Sequence, residues 1–518
     1  MSSSHSVTSP QAADNHAQMT KRVLWKLDCH ILPPLALLWL ANFIDRSNIG
    51  NAGIAGLKTD LHLQGNQFNT ALAVFYVTYL LIELPSNIAL KKVKPNRWIP
   101  LLVGLWGIVT TLTSLIHNFQ GLLAIRIFLG LCEGGLLPGI ILYLSTMYKR
   151  HELQLRVGIF YASASLSGAF GGLLATAILK MNGIAGLAGW RWIYILEGIA
   201  TVIAGFIAAF ILPESLDNAP FFTEEERAFA VRRFQLDDSR IFDPSPETGA
   251  QTSQEKGDDD VYVEHTNYSK SLTIVEKGSE EEKYEWREVV RGIFDIQTWL
   301  TGFAYFGLIV SLYSFSLFLP TIVAGLGYKG SQAQLHTVPP YVPATVLTVV
   351  VAYLSDRFKW RGPFILICLP FAIIGYALAI TADNNRTRYI AVFFMAAGVY
   401  PSAPCILSIL PNNSSGHYKK ATTTALQLAI ANSGGFVATF AYTPDQQPEY
   451  IRGHTIVLSF VVLAWFLVAF NVCYCLWENK ARRDGKREDN IIKYKALVAE
   501  GKTQAPIGDR HPNFRFTL

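Results

Sequence analysis

Residues 126–139 read RIFLGLCEGGLLPG. An arginine and a glutamate stand seven positions apart in an otherwise apolar segment. Seven residues of α-helix are nearly two turns, so Arg126 and Glu133 point to almost the same side, about 10 Å apart along the axis. A charged group at membrane depth is costly unless it meets a partner or water, so such a pair marks a solute or proton path. The same segment carries Gly135-x-x-Pro138, which returns 263 residues later as Gly398-x-x-Pro401. Pro100 and Pro363 share that offset, and so do Gly171-Gly172-x-x-Ala175-Thr176 and Gly434-Gly435-x-x-Ala438-Thr439. One offset held across three helices implies two parallel repeats with a site between them.

Composition agrees with a membrane setting. Of 518 residues, 51% are hydrophobic and 16% charged, with mean hydropathy +0.26, too apolar for an ordinary soluble multidomain enzyme. Apolar runs long enough to cross about 30 Å of hydrocarbon fall at 31–50, 69–90, 98–117, 121–146, 155–180, 190–212, 298–324, 333–354, 363–382, 388–411, 421–442 and 454–477. The expected architecture is an all-α membrane protein of twelve transmembrane helices in two parallel six-helix repeats, with a central cavity between the halves. Its parts are a cytosolic tail (1–30), a six-helix bundle (31–212), a cytosolic central loop (213–297), a second bundle (298–477) and a cytosolic tail (478–518).

The polar stretch through Thr20 has no basic region feeding a cleavable apolar core, so the first helix serves as the membrane signal. Basic clusters occupy alternate loops: Lys21, Arg22 and Lys26; Lys91, Lys92, Lys94 and Arg97; Lys149, Arg150 and Arg156. The second half continues the pattern with Arg357, Lys359 and Arg361, then Lys419 and Lys420, then Lys480, Arg482 and Arg483. The positive-inside bias puts both termini in the cytosol, and the net charge of +5 reflects topology, not nucleic-acid binding. Within the central loop, PFFTEEERAFAVRRFQ reads as a surface helix opened by Thr223 with acids in its first turn, and the stretches EKGDDD and KGSEEEKYEW as linker. The six cysteines lie in or beside apolar segments, which points to packing, and no disulfide, metal or cofactor framework is indicated. HExxH, GxSxG and phosphate-cradling glycine loops are absent, which argues against an enzyme.

Against the repeat, the positions equivalent to Arg126 and Glu133 are Tyr389 and Ala396, so only one half carries the charges. An ion pair that merely holds the first bundle together is the competing reading. In the first span, LANFIDRSNIGNA places Asp45 and Arg46 toward the outer end between Asn42 and Asn48. A carboxylate at Asp45 could pair with Arg126, and of the adjacent Asp45 and Arg46 at most one points into a cavity. Glu83, in the second span just before Pro85, fits a backbone-bonding role as well as a transport one.

Resemblance adds a family. YLSDRFKWRGP, with Asp356, Arg357 and Arg361, resembles the signature between paired helices of the major facilitator superfamily, where it would latch one conformation. The first-half counterpart, LKKVKPNRW, lacks the acid. FIDRSNIGNAGIAGL, RIFLGLCEGGLLPG, GAFGGLLA, YEWREVVRGIFDIQTW and AQLHTVPPYVPATVLTVVVAYLSDRFKWRGPFIL are similar to the anion:cation symporters of that superfamily, most of all to the fungal allantoate and nicotinic acid permeases. The resemblance implies a monomeric plasma-membrane carrier for proton-driven uptake of a small anionic substrate such as nicotinate, with protons, substrate and the lipid bilayer as partners. In that scheme Arg126 holds the carboxylate through two parallel hydrogen bonds, and Glu133, with Asp45, carries the proton. Asn42, Tyr305 and Tyr313 are the further substrate candidates, the two rings being able to stack on a flat ligand. The rival is a proton-driven exporter of a secondary metabolite or drug. The GAFGG segment lacks the proline that such exchangers place in this helix, which leans toward uptake.

Overall fold

The computed structural model describes residues 10–242, 285–328, 330–503, 505 and 507–518. The linker string EKGDDD and most of KGSEEEKYEW lie outside the described residues. The first half holds α1 (Pro10–Ala52), α2 (Gln67–Val93), α3 (Pro95–Leu112), α4 in two pieces (Phe119–Glu133 and Leu136–Met147), α5 (Arg150–Ile178) and α6 (Gly189–Ile211). The second holds α7 (Ile296–Gly325), α8 (Val338–Phe358), α9 (Gly362–Thr381), α10 (Asn385–Asn413), α11 (His417–Ala441) and α12 (Ile451–Arg483). Nine helical segments among the described residues are long and apolar enough to cross a membrane. The other three, α2, α5 and α11, at 27, 29 and 25 residues, also have spanning length. Two of them, α2 and α11, pack on each other between the halves, a position that tolerates polar side chains because it faces protein and not lipid.

Two elements differ from the apolar pattern. Helix α1 begins at Pro10 and not near residue 31, because the helix continues through a polar first stretch that apolar counting leaves out. Helix α4 breaks at Gly134 and Gly135. Pro138 has no amide hydrogen to give the Gly134 carbonyl. Close packing also presses here: a Cβ on Gly130 or Gly134 would come 2.5 Å from the Phe75 or Tyr79 carbonyl of α2. The break sits immediately after Glu133.

The repeat reappears in the packing. In the first half α1 packs on α5 and α6, α2 on α4, and α3 on α4 and α6. In the second, α7 packs on α11 and α12, α8 on α10, and α9 on α10 and α12, the same pairs shifted by six helices. The halves meet through α2 with α11, α5 with α8, and α1 with α7.

These contacts close the face opposite the termini. There Asn69 donates to the Thr439 and Tyr442 carbonyls at 2.6 and 3.1 Å, and Gln334 to the Asn51 carbonyl at 3.4 Å. On the face that carries the termini, the ion pairs close within a half: Arg156 with Asp28, Arg233 with Glu152, Lys419 with Asp295 and Asp509. The helix Glu224–Phe242 docks on the first half, opened by a reciprocal Thr223–Glu226 cap and tied to α1 by Glu226 with Arg22 and Lys26. Burial alone would raise the Glu226 carboxyl; the Lys26 bond, the Thr223 amide and the two cations outweigh it and hold it below its usual range. The tail after α12 folds onto the second half and ends with the Leu518 carbonyl accepting from the Arg361 amide at 2.5 Å.

Candidate substrate and proton site

Four polar positions on α1 organise the site. Asn42 and Arg46 are one helical turn apart and share a face. Asn42 Nδ2 donates to Glu133 Oε2 at 2.9 Å, and Arg46 Nε to the same oxygen at 3.1 Å. Arg46 Nη1 then crosses to the second half and donates to the Tyr313 hydroxyl at 2.9 Å. Its guanidinium carbon stands 4.9 Å from the Tyr79 ring centre and 5.5 Å from that of Tyr313, so ring faces as well as the carboxylate stabilise the cation. Asp45 and Asn48 occupy the neighbouring face. Asp45 Oδ2 accepts from Trp106 Nε1 at 2.5 Å and Thr110 Oγ1 at 2.9 Å, and Asn48 donates to Glu197 of α6.

A cavity lies between the halves next to Arg46. Trp39, Phe43, Tyr79 and Leu137 line it from the first half, and Tyr305, Tyr313, Tyr400 and Asn432 from the second. It is an aromatic box with one guanidinium in its wall, and Asn432 accepts from Tyr313 at 3.2 Å. The lining offers aromatic faces and one cation, the groups that meet a flat ring and a negative charge.

The placement of the sequence candidates differs from their spacing in the chain. Tyr305 and Tyr313 line the cavity, but Arg126 is not among its lining residues. Arg126 is buried, within electrostatic reach of Asp45 and beside the Tyr194 hydroxyl, and its Nε has no hydrogen-bond partner. Glu133 pairs with Arg46, one α1 turn from Asn42, in place of any pairing along its own helix. Asp45, which could pair with Arg126, takes its hydrogen bonds from Trp106 and Thr110 and keeps Arg126 within electrostatic reach. The reason is the α1 face: Arg46, not Asp45, turns toward the cavity. Asn42 serves Glu133 and does not line the cavity. Glu83 Oε2 is buried without a partner, and Asn432 of the second half lies beside this side chain.

At the α8–α9 turn, Arg361 donates to Asp356 at 2.7 Å and Ser355 at 2.8 Å. Arg361 is the buried partner and Asp356 the half-exposed one, and Arg357 is exposed. The described residues contain no cluster of three or more metal-ligating side chains.

Sequence reasoning passed over Trp39, Phe43, Tyr79, Tyr400 and Asn432, which carry no charge to set them apart from core residues. It also passed over Glu197, whose signal was present: a lone acid in the apolar run GWRWIYILEGIA, the same criterion that singled out Glu133.

Residues 35–439 match the family model of the Major Facilitator Superfamily. The chain belongs to that superfamily. As a major facilitator it is a transporter and not an enzyme. It is 35% identical over 514 residues to an uncharacterized transporter of Schizosaccharomyces pombe, covering 98% of this chain and 93% of the relative. It is 30% identical over 500 residues to the high-affinity nicotinic acid transporter of Saccharomyces cerevisiae, covering 96% and 85% of the two chains. In fold it is similar to the crystal structure of a D-xylose–proton symporter, with TM-score 0.60 and 14% identity over 85% of this chain and 96% of that one.

Proposed function

We propose that this transporter takes up a small organic carboxylate, such as nicotinate, together with a proton across the plasma membrane, with both termini in the cytosol. The observation that carries the reading is the Arg46–Glu133 pair at the wall of an aromatic cavity built from both halves. The similarity to a nicotinic acid transporter supports the substrate class.

The chemistry follows from the hydrogen-bond inventory. With Glu133 ionised, its Oε2 engages Arg46, and the guanidinium is only partly available to an anion. A proton placed on Glu133 cancels that attraction, and the new O–H can be given to the Asn42 Oδ1, which has no partner. Arg46 is then free to hold the substrate carboxylate through two parallel N–H bonds, while Tyr79, Tyr305, Tyr313 and Tyr400 flank the ring. Protonation and anion binding thus favour one another, which is the requirement for symport. In this scheme the substrate-holding guanidinium is Arg46. Arg126 acts one layer away, supporting the charge of Asp45. In this reading the arrangement closed on the face opposite the termini is the state that releases substrate to the cytosol, reached as the halves rock about α1 and α7.

The test is labelled nicotinate uptake in cells that cannot take it up themselves, at acidic and neutral external pH, with a panel of small carboxylates as competitors. Uptake that rises with external acidity and is blocked by ring carboxylates supports the reading. Efflux of a preloaded compound with no uptake of any carboxylate would replace it with the exporter.

A further inference from the structure

Two carboxyl groups of the first half meet an asparagine of α1, and they differ in one respect. Glu133 meets Asn42 and also the guanidinium of Arg46. Glu197, 92% buried since its relative exposure is 8%, meets Asn48 and no cation. The charged group within its electrostatic reach is Asp45, another acid. From the elements packed around it, α1 supplies Asp45 and Asn48, and α3 supplies Thr110 and Trp106, both engaged by Asp45. Helix α4 supplies Arg126, which faces Asp45 and Tyr194. Helix α5 has no charged residue between Arg156 and Lys180.

A buried carboxylate beside a like charge and without a cation is strongly disfavoured. The atoms left over agree with that. Glu197 Oε1 and Asn48 Oδ1 are both buried and both lack a hydrogen-bond partner. They are two acceptors on two side chains already joined by one bond, and a single proton satisfies both. We propose that Glu197 is a resident proton site: a neutral carboxylic acid that donates Oε1–H to Asn48 Oδ1 while Asn48 Nδ2–H donates to Glu197 Oε2, a closed two-bond acid–amide pair. The local charges agree: Glu133 faces Arg46 and Asp45 faces Arg126, whereas Glu197 faces no guanidinium. Glu133 is then left as the carboxyl that is ionised at rest and titrates with the substrate. The proposal goes beyond the substrate reading and does not depend on which anion is carried.

The experiment is infrared difference spectroscopy of the full-length protein in lipid nanodiscs at neutral pH, without substrate, reading the protonated-carboxyl C=O band. The expected result is a band in the wild type that Glu197→Gln removes and Glu133→Gln retains. A Gln side chain can make both bonds to Asn48, so Glu197→Gln should keep the thermal unfolding temperature, whereas Glu197→Leu should lower it. Asn48→Ala gives a second reading: the acid stays but loses both partners, and its C=O band should move to higher frequency. A band that survives Glu197→Gln, or is lost in Glu133→Gln alone, or does not move in Asn48→Ala, overturns the assignment. Because no transport is measured, failure of the nicotinate reading leaves these outcomes unaffected.

Discussion

Arg46 and Tyr313 join the two halves of the transporter at the depth of the cavity, the guanidinium Nη1 donating to the phenol oxygen at 2.9 Å. The bond ties the cation that pairs with Glu133 to a ring that lines the cavity from the other half. Any movement of one half relative to the other must break or re-aim it. We predict that Tyr313→Phe, which keeps the ring, leaves surface expression intact and lowers uptake about tenfold, on the order of 1.5 kcal/mol for a hydrogen bond to a charged group. Undiminished labelled uptake would show that the bond has no part in transport.

Arg46 should tolerate even less. Lysine keeps the charge but cannot present a planar fork to a carboxylate, so Arg46→Lys is expected to lose more than 100-fold in uptake on the order-of-magnitude scale of a broken charged pair. Arg126→Ala should also impair transport, with a distinguishing sign. If Arg126 acts through Asp45, its loss lowers turnover more than it raises the substrate KM. A pure KM effect would return direct substrate binding to Arg126.

Glu133→Gln removes the titrating carboxyl while keeping the Asn42 contact possible. Uptake by this variant should no longer respond to a shift of external pH from neutral to acidic. A pH response equal to that of the wild type would rule Glu133 out as the coupling group. The variant also leaves Arg46 without its carboxylate, so exchange of internal for external substrate is expected to persist while net accumulation is lost.

The closed face depends on small residues. A Cβ at Gly435 would come 2.5 Å from the Tyr76 ring, and one at Gly168 would come 2.2 Å from that of Tyr341. These are contacts of α11 on α2 and of α5 on α8, between the halves. Gly435→Leu should therefore hold the halves apart on this face. Thr439→Cys, buried there in the native packing, is predicted to react faster with an impermeant maleimide when Gly435→Leu is also present. Equal labelling in both backgrounds would mean that the interface accommodates the side chain without opening.

On the opposite face the C-terminal tail is held by charge. Lys419 is 3% exposed on its side chain and lies 2.5 Å from both Asp295 and Asp509, and Arg291 reaches Asp509 at 3.1 Å. Removing the central cation leaves two acids facing each other, so Lys419→Ala should destabilise the second half by about 3 kcal/mol. A thermal unfolding temperature unchanged from the wild type would contradict this.

The helix Glu224–Phe242 has a pH dependence of definite sign. Burial opposes the charge on Glu226, yet Lys26, the Thr223 amide and Arg22 together hold its carboxyl below the ordinary value. A carboxyl depressed by folding stabilises the folded arrangement above its unfolded pKa, and that contribution fades as pH falls through the folded value. Docking of this helix on α1 is expected to be intact at neutral pH and to loosen in acid below the usual glutamate range. Amide exchange, corrected for its intrinsic pH dependence, would show this as protection lost in the helix, and Glu226→Gln should show the loss already at neutral pH.

Much of the architecture was legible in the residues alone. The 263-residue offset reads out as the same helix pairings in both halves, because close packing of apolar helices requires small residues and prolines at fixed depths, and those leave a linear trace. The charged candidates were legible as well, since an ion in an apolar run stands out whatever the fold. Their partners were not. Asp45 and Arg46 are adjacent, and sequence can say only that they face different sides. That Arg46 turns to Glu133 and Tyr313 while Asp45 turns to Trp106 and Thr110 depends on the rotation of α1 against α3, α4 and α7.

By itself the sequence determined the membrane class, the two-fold repeat and the list of ions that must be handled inside hydrocarbon, since burial energy acts on each residue type regardless of its neighbours. Only the tertiary structure decided which guanidinium faces the cavity, which aromatic rings close around it and which carboxyl is left without a cation. Those depend on helix rotation and on contacts between residues more than 80 positions apart, such as Arg46 with Glu133, and a fixed spacing along one helix cannot specify them.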